Sequence, residues 1–267
     1  MKKVIAFFKK TFLVELSYQF PLALNIANIF LGLLSYFFIN KLFGQKITPH
    51  LEIFGVNYFS YVLVSTGLFG YIAVGLNSFP EKIGDEQIEG TLEAILLTPT
   101  KTKIILAGLG IWNFIVASID FAIYAIIGLF IFRIDFSSTN LLSVILVLVL
   151  SILSFTGLGI ISASFVIIFK RGNPLAWVIG AFEGIVGGIF FPITVLPNWL
   201  QMISLFFPIT YAVRAMEFAV YRGYTIYQLK TELIILLTFS LVLLPTGMKL
   251  FNWAINYAKK QGTLASY

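Results

Sequence analysis

The chain has 267 residues, 59% of them hydrophobic and 11% charged, with a mean hydropathy of +0.95. A soluble domain clothes itself with roughly 25% charged residues, so this composition excludes a water-facing shell and makes lipid the solvent around most of the perimeter. The net charge of +6 does not point to nucleic acid, because Lys and Arg cluster at the ends of apolar runs, and zero cysteines exclude disulfides, thiolate metal sites and cysteine nucleophiles.

In chain order, residues 2–16 place Ile5, Phe8, Phe12 and Leu16 on one helical face, with Lys9 close to it. That pattern predicts a helix lying in the membrane interface with its lysines snorkelling to anionic headgroups; a cytoplasmic tail is the alternative. Lys9 and Lys10 interrupt the apolar stretch and no small-residue cleavage site follows, which argues against a removable signal peptide. Crossing about 30 Å of hydrocarbon takes about 20 helical residues. Six stretches satisfy this, near 20–39, 56–79, 104–132, 141–169, 174–196 and 231–255. Their length without period-two alternation favours helices over a barrel. The expected fold is an all-α integral membrane protein of six transmembrane helices.

Orientation follows from the basic residues, which cytoplasmic loops retain. An inside N-terminus puts 12 of the 18 Lys and Arg residues on the cytoplasmic side and leaves Lys41, Lys46, Arg133, Arg214, Arg222 and Lys230 outside. Both termini are then cytoplasmic. Residues 196–223 are too apolar for an ordinary outer loop and are cut by Pro197 and Pro208 into pieces too short to span. They predict an outer re-entrant or interfacial helical hairpin over 197–223, with Trp199, Tyr211 and Tyr221 at headgroup level.

Residues 80–103 fall in a cytoplasmic loop between the second and third spans. At 100° per residue, Ile88, Leu92, Ile95 and Leu96 form an apolar stripe beside Glu86, Glu89 and Glu93, which predicts a helix over 86–97. Ser78 and Glu81 have capping-box spacing at the preceding turn, Thr98–Pro99 supplies a stop, and Gly90 falls inside. Residues 81–93 carry five carboxylates and one lysine. The cytoplasmic leaflet is itself anionic, so such a helix is repelled from lipid and favoured against a protein partner.

The run EGTLEAILLTPT at 89–100 resembles the signature of the type-2 ABC exporter permease family, E-G-T-L-E-x-L-L-x-T-P, in the loop after the second span. FFPITVLPNWLQMISLFFPITYAVRA resembles the same family in its fifth span and the outer hairpin that follows. The resemblance implies that residues 86–97 are a coupling helix seated on a separate ATPase subunit, with Glu86, Glu89, Gly90, Thr91, Leu92 and Glu93 carried over. It implies an assembly of two permeases, expected to be a homodimer, with two nucleotide-binding subunits that hold ATP and Mg. It also implies outward transport of an amphipathic drug-like, lipid or lipid-linked substrate in a prokaryotic cell membrane. A polysaccharide exporter is the alternative within the family. The chain has no G-x-x-x-x-G-K-[ST] loop of its own, so no cofactor and no catalytic residue is expected in it.

Charged residues inside spans are expensive and mark translocation-pathway candidates. Asp120 in the third span has Asn113 and Tyr124 on its own helical face, and Glu183 lies in GAFEGIVGG among small residues that permit close packing. Either carboxyl suits a structural hydrogen bond or a transport role. Arg214 and Glu217, three apart in the hairpin, are expected to form a local ion pair, the alternative being substrate contact. Gly180, Gly184, Gly187 and Gly188 suit packing, as between two permease copies. His50 with Glu52 alone is no metal site. A proton-coupled secondary transporter using Asp120 and Glu183 is the reading from a different class.

Overall fold

A computed structural model of the chain describes residues 19–92, 102–170 and 173–261. The interfacial helix expected over 2–16 lies outside the described residues, as do Glu93, Ile95, Leu96 and the Thr98–Pro99 stop. The helices are α1 (Gln19–Ile47), α2 (Tyr58–Ile88), α3 (Thr102–Phe130), α4 (Leu141–Phe169), α5 (Pro174–Val186), α6 (Asn198–Ser204), α7 (Pro208–Tyr221) and α8 (Lys230–Lys260). Among the described residues there is no strand, and four helices, α1, α2, α4 and α8, are long and apolar enough to cross a membrane. The pair α6 and α7, bent by 90°, would make a fifth. Helix α3 runs for 29 residues, of which Phe114–Phe130 is the described apolar stretch.

The stretch expected as one fifth span, 174–196, is not a single helix. Helix α5 has 13 residues, about 20 Å at about 1.5 Å each, and stops at Val186. Gly188 takes φ +82, Pro192 is extended, and only a 3-10 turn, Ile193–Val195, follows. A left-handed glycine followed by a proline without an N–H ends the α-helical ladder.

Helix α2 is the axis of the bundle. It packs on α3, α4, α7, α1 and α5, and 78% of its apolar window is buried. Asn57 caps its start by accepting from Ser60 N at 2.9 Å, and Asn140 caps α4 in the same way from Ser143 N at 3.1 Å. The helix does not stop near Phe79 as the span assignment anticipated. It runs through Pro80 to Ile88, so Ser78 and Glu81 lie within it rather than in a capping box. A proline here removes the donor for the Leu76 carbonyl, and that carbonyl lies beside Gly159 of α4.

Small residues set the closest approaches. A Cβ on Gly159 would overlap the Gly75 carbonyl of α2, and one on Gly157 would stand 2.6 Å from Leu243 Cβ of α8. Across the same α4–α8 seam, Ser154 Oγ and Ser240 Oγ are 2.9 Å apart and Ser154 also donates to Leu236 O at 3.0 Å. Lipid supplies no hydrophobic force between spans, so such close packing and interhelical hydrogen bonding hold them together. Gly159→Val is therefore expected to lower the thermal midpoint of the detergent-purified protein by several degrees or abolish its yield. Gly70→Ala, where a Cβ meets nothing within 4 Å, leaves both unchanged.

Candidate functional site

The acidic segment is built on the end of α2. Glu89 N bonds Asp85 O at 2.8 Å, Gly90 N bonds Gln87 O at 3.2 Å and Thr91 N bonds Glu86 O at 2.9 Å, with Gly90 at φ +71. This is a Schellman stop, in which a left-handed glycine lets the next two N–H groups fold back on the last carbonyls. The expectation of one helix over 86–97 with Gly90 inside is thereby corrected. Gly90 ends α2, and Thr91 also donates its hydroxyl to the Glu86 carboxylate. The expected stripe separates as well: Ile88 is exposed, whereas Leu92 turns inward against the cluster that holds Phe79, Ile83, Ile160 and Phe251.

Electrostatically, this helix end opposes its own dipole. The last turns carry Asp85, Glu86 and Glu89, and no basic residue occupies the last turn. A helix C-terminus favours cations, and α8 follows that rule with Lys259 and Lys260 in its last turn. Lys82 meets Glu86 at 3.6 Å, a half-buried i,i+4 pair at the helix surface. The cluster is therefore short of positive charge within the described chain.

The intramembrane candidates separate. Asp120 Oδ1 accepts from Asn25 Nδ2 of α1 at 2.8 Å. Glu183, 1% exposed, has no hydrogen-bond partner for either carboxyl oxygen among the described residues. Glu217 is fully buried and accepts from Ser65 Oγ of α2 at 2.8 Å. Arg214 does not pair with Glu217; its Nε lies 3.3 Å from Glu232 Oε1 in the first turn of α8. Arg214 snorkels outward while Glu217 points into the core, so a three-residue spacing does not bring them together. Of the four glycines expected at a packing seam, Gly180 faces open space in this chain, while a Cβ on Gly187 would stand 2.7 Å from Ile209 Cγ2.

Helix α7 is sunk into the bundle from the hairpin end. Tyr221 donates its hydroxyl to Ser60 O at 2.6 Å, and Tyr61 of α2 donates to Gly188 O. The last carbonyls of α7 are satisfied from the α3–α4 loop: Asn140 N to Ala219 O at 2.9 Å, Thr139 Oγ1 to Val220 O at 3.1 Å and Ser138 Oγ to Tyr221 O at 2.9 Å. Arg222 then donates to Glu52 O at 2.8 Å and Ile53 O at 3.2 Å, tying the hairpin exit to the loop after α1. A helix end can be buried only if its orphan carbonyls find such donors. Sequence spacing missed Ser65, Tyr61 and Asn25 because each acts on a different helix. The only available signal was that each is a polar residue inside an otherwise apolar span.

A bundle of long apolar helices, with an unwound stretch and a bent helix pair at one end and an acidic helix stop at the other, defines a multi-pass membrane protein of the permease type. The family model described as ABC-2 type transporter matches residues 3–221, most of the chain, and the protein belongs to that family. It is therefore the membrane domain of an ABC transporter. The match ends where α7 ends, and α8 follows it. No curated protein matches the chain in a sequence comparison.

Removing the donor to a buried carboxyl leaves that oxygen without a partner, at a cost of about 1–3 kcal/mol. Ser65→Ala is expected to destabilise the solubilised protein by that amount in denaturant unfolding. Ser35→Ala, whose hydroxyl is exposed and bonds only its own helix at Leu31 O, changes stability by less than about 0.5 kcal/mol.

Proposed function

We propose that the chain is the transmembrane subunit of an ATP-driven exporter, and that the acidic end of α2 is where a separate nucleotide-binding subunit docks. The observation that carries this reading is the placement of Asp85, Glu86 and Glu89 against the dipole of their own helix, beside an inward-facing Leu92. That arrangement is unfavourable for the isolated chain and becomes favourable when a basic partner surface meets it. Because α2 runs as one helix from this end to Tyr58, with Pro80 interrupting one backbone bond, displacement of Glu86 and Glu89 reaches the hairpin end through it.

In this reading the Glu86 end is cytoplasmic and the hairpin end is outside. Two permease copies, as a homodimer, assemble with two ATPase subunits in the cell membrane of a prokaryote. ATP and Mg belong to those subunits. The cargo is an amphipathic drug-like, lipid or lipid-linked molecule moved outward. A second reading, a proton-coupled carrier, is favoured by one observation, the Glu183 carboxyl buried without a hydrogen-bonding partner among the described residues. Asp120 and Glu217 lend it less, since each already accepts an interhelical hydrogen bond.

Affinity purification of the chain in mild detergent is expected to bring down a stoichiometric ATPase subunit with vanadate-sensitive hydrolysis. Glu89→Lys should weaken that association at least about tenfold, about 1.4 kcal/mol, with membrane insertion intact. A lone oligomer without ATPase activity, whose transport follows the proton gradient and is lost in Glu183→Gln, would replace this reading with the carrier.

A further inference from the structure

At the hairpin end a cavity of about 520 Å3 lies between the unwound segment after α5, the helices α6 and α7, and the loop after α1. Its size is within the range of about 300–1,000 Å3 usual for small-molecule sites. Phe54 and Tyr61 form buried lining, and Met202, Leu205, Asn198 and Arg214 form exposed lining.

The polar groups divide into two sets. Most are committed to the protein: Tyr61 to Gly188 O, Thr210 Oγ1 to Ser204 O at 2.7 Å, Gln201 Nε2 to Leu196 O at 2.7 Å and Tyr211 to Leu205 O at 3.1 Å. Three are not. The Thr194 hydroxyl and the Asn198 amide make no side-chain hydrogen bond among the described residues. Arg214 engages Glu232 through Nε, and the remaining donors of its guanidinium fork have no hydrogen-bond partner among the described residues.

Arg214 is also, among the described residues, the sole charged residue in the lining and the one exposed position on a helix otherwise buried or half-buried from Pro208 to Tyr221. Its side chain is 59% exposed while that of Glu232 is 11% exposed. The carboxylate thus holds the guanidinium at Nε, its central carbon stands 5.8 Å from the Phe218 ring centroid, and the other N–H donors of the fork are left for a phosphate or carboxylate. The cavity adjoins lipid, because Trp199, Met202 and Phe206 on and just beyond α6 form an exposed apolar stripe at helical spacing.

We propose that this cavity binds an anionic amphipath drawn from the adjacent leaflet, a lysophospholipid or fatty acid. Its phosphate or carboxylate head meets Arg214 and Asn198, and its chain lies along Phe54, Met202 and Leu205. The site needs neither ATP nor a second subunit, so it stands apart from the exporter reading and is tested without an ATPase.

The test uses the full chain in phosphatidylcholine nanodiscs, titrated with lysophosphatidic acid carrying a photoreactive tail. Crosslinks are expected at Phe54 and between Asn198 and Arg214. The double variant R214Q/E232Q, which removes both charges together, should weaken binding at least about tenfold while leaving a neutral monoacylglycerol probe unaffected. Asn198→Trp keeps the ion pair and fills the mouth, so it should abolish binding of both probes, and it decides the matter alone if the double variant does not fold. Unchanged affinity for lysophosphatidic acid in a folded R214Q/E232Q or N198W, crosslinks outside this lining, or displacement of the probe by inorganic phosphate alone would each overturn the proposal.

Discussion

A polar group inside a bilayer has no water to turn to, and the arrangement of this protein follows from how α2 meets that constraint. Gly159 lets α4 lie against α2's backbone, and the Leu76 carbonyl left without a donor by Pro80 sits in that contact. Ser65 of α2 donates to α7 and Tyr61 to the unwound segment after α5. Removing water makes each of these bonds costly to lose, because no alternative partner is at hand.

The same constraint explains why non-helical backbone is tolerated at the hairpin end. The chain from Gly187 to Pro197 leaves the helix, yet Tyr61 reaches the Gly188 carbonyl and the Gln201 side chain reaches Leu196. Helix α7 is short and almost wholly buried, and its terminal carbonyls are met by the α3–α4 loop. The start of this irregular backbone, from Gly187 to Ile189, is buried in protein, and the segment borders a cavity where it can be satisfied. At the opposite end the backbone also finishes its own bonds, through the Gly90 turn, but the carboxylates there have only Lys82 as a described counter-charge. Asp85, Glu86 and Glu89 crowd the negative pole of α2, and this end carries the proposed subunit contact.

The four carboxylate and guanidinium candidates show how far spacing along one helix can be read. Arg214 and Glu217 share a face by sequence, yet one extends outward to a glutamate 18 residues later and the other turns to a serine on α2. Asp120 has polar neighbours on its own helix and is met by Asn25 from α1. Gly90 is the reverse case. Its identity and place three residues after Gln87 are the ordinary marks of a helix stop, but a continuous apolar period through Ile88 and Leu92 outweighed them and suggested a helix straight through. The fifth span failed for a similar reason. Hydropathy continues unbroken from Pro174 to Leu196, and hydropathy does not register that Gly188 and Pro192 leave the helical ladder.

The runs at 89–100 and near the hairpin resemble the ABC-2 family by their particular residues, whereas composition and periodicity by themselves determined that lipid is the solvent, that the chain is helical and where most of the long helices lie. These are properties of apolar content and local spacing, which one dimension records fully. Only the tertiary structure decided which polar group satisfies which, where α2 ends, and that α5 gives way to an unwound segment bordering a cavity. Those depend on groups brought together from different helices, and in a bilayer it is the packing of spans against one another, not their order along the chain, that chooses the partners.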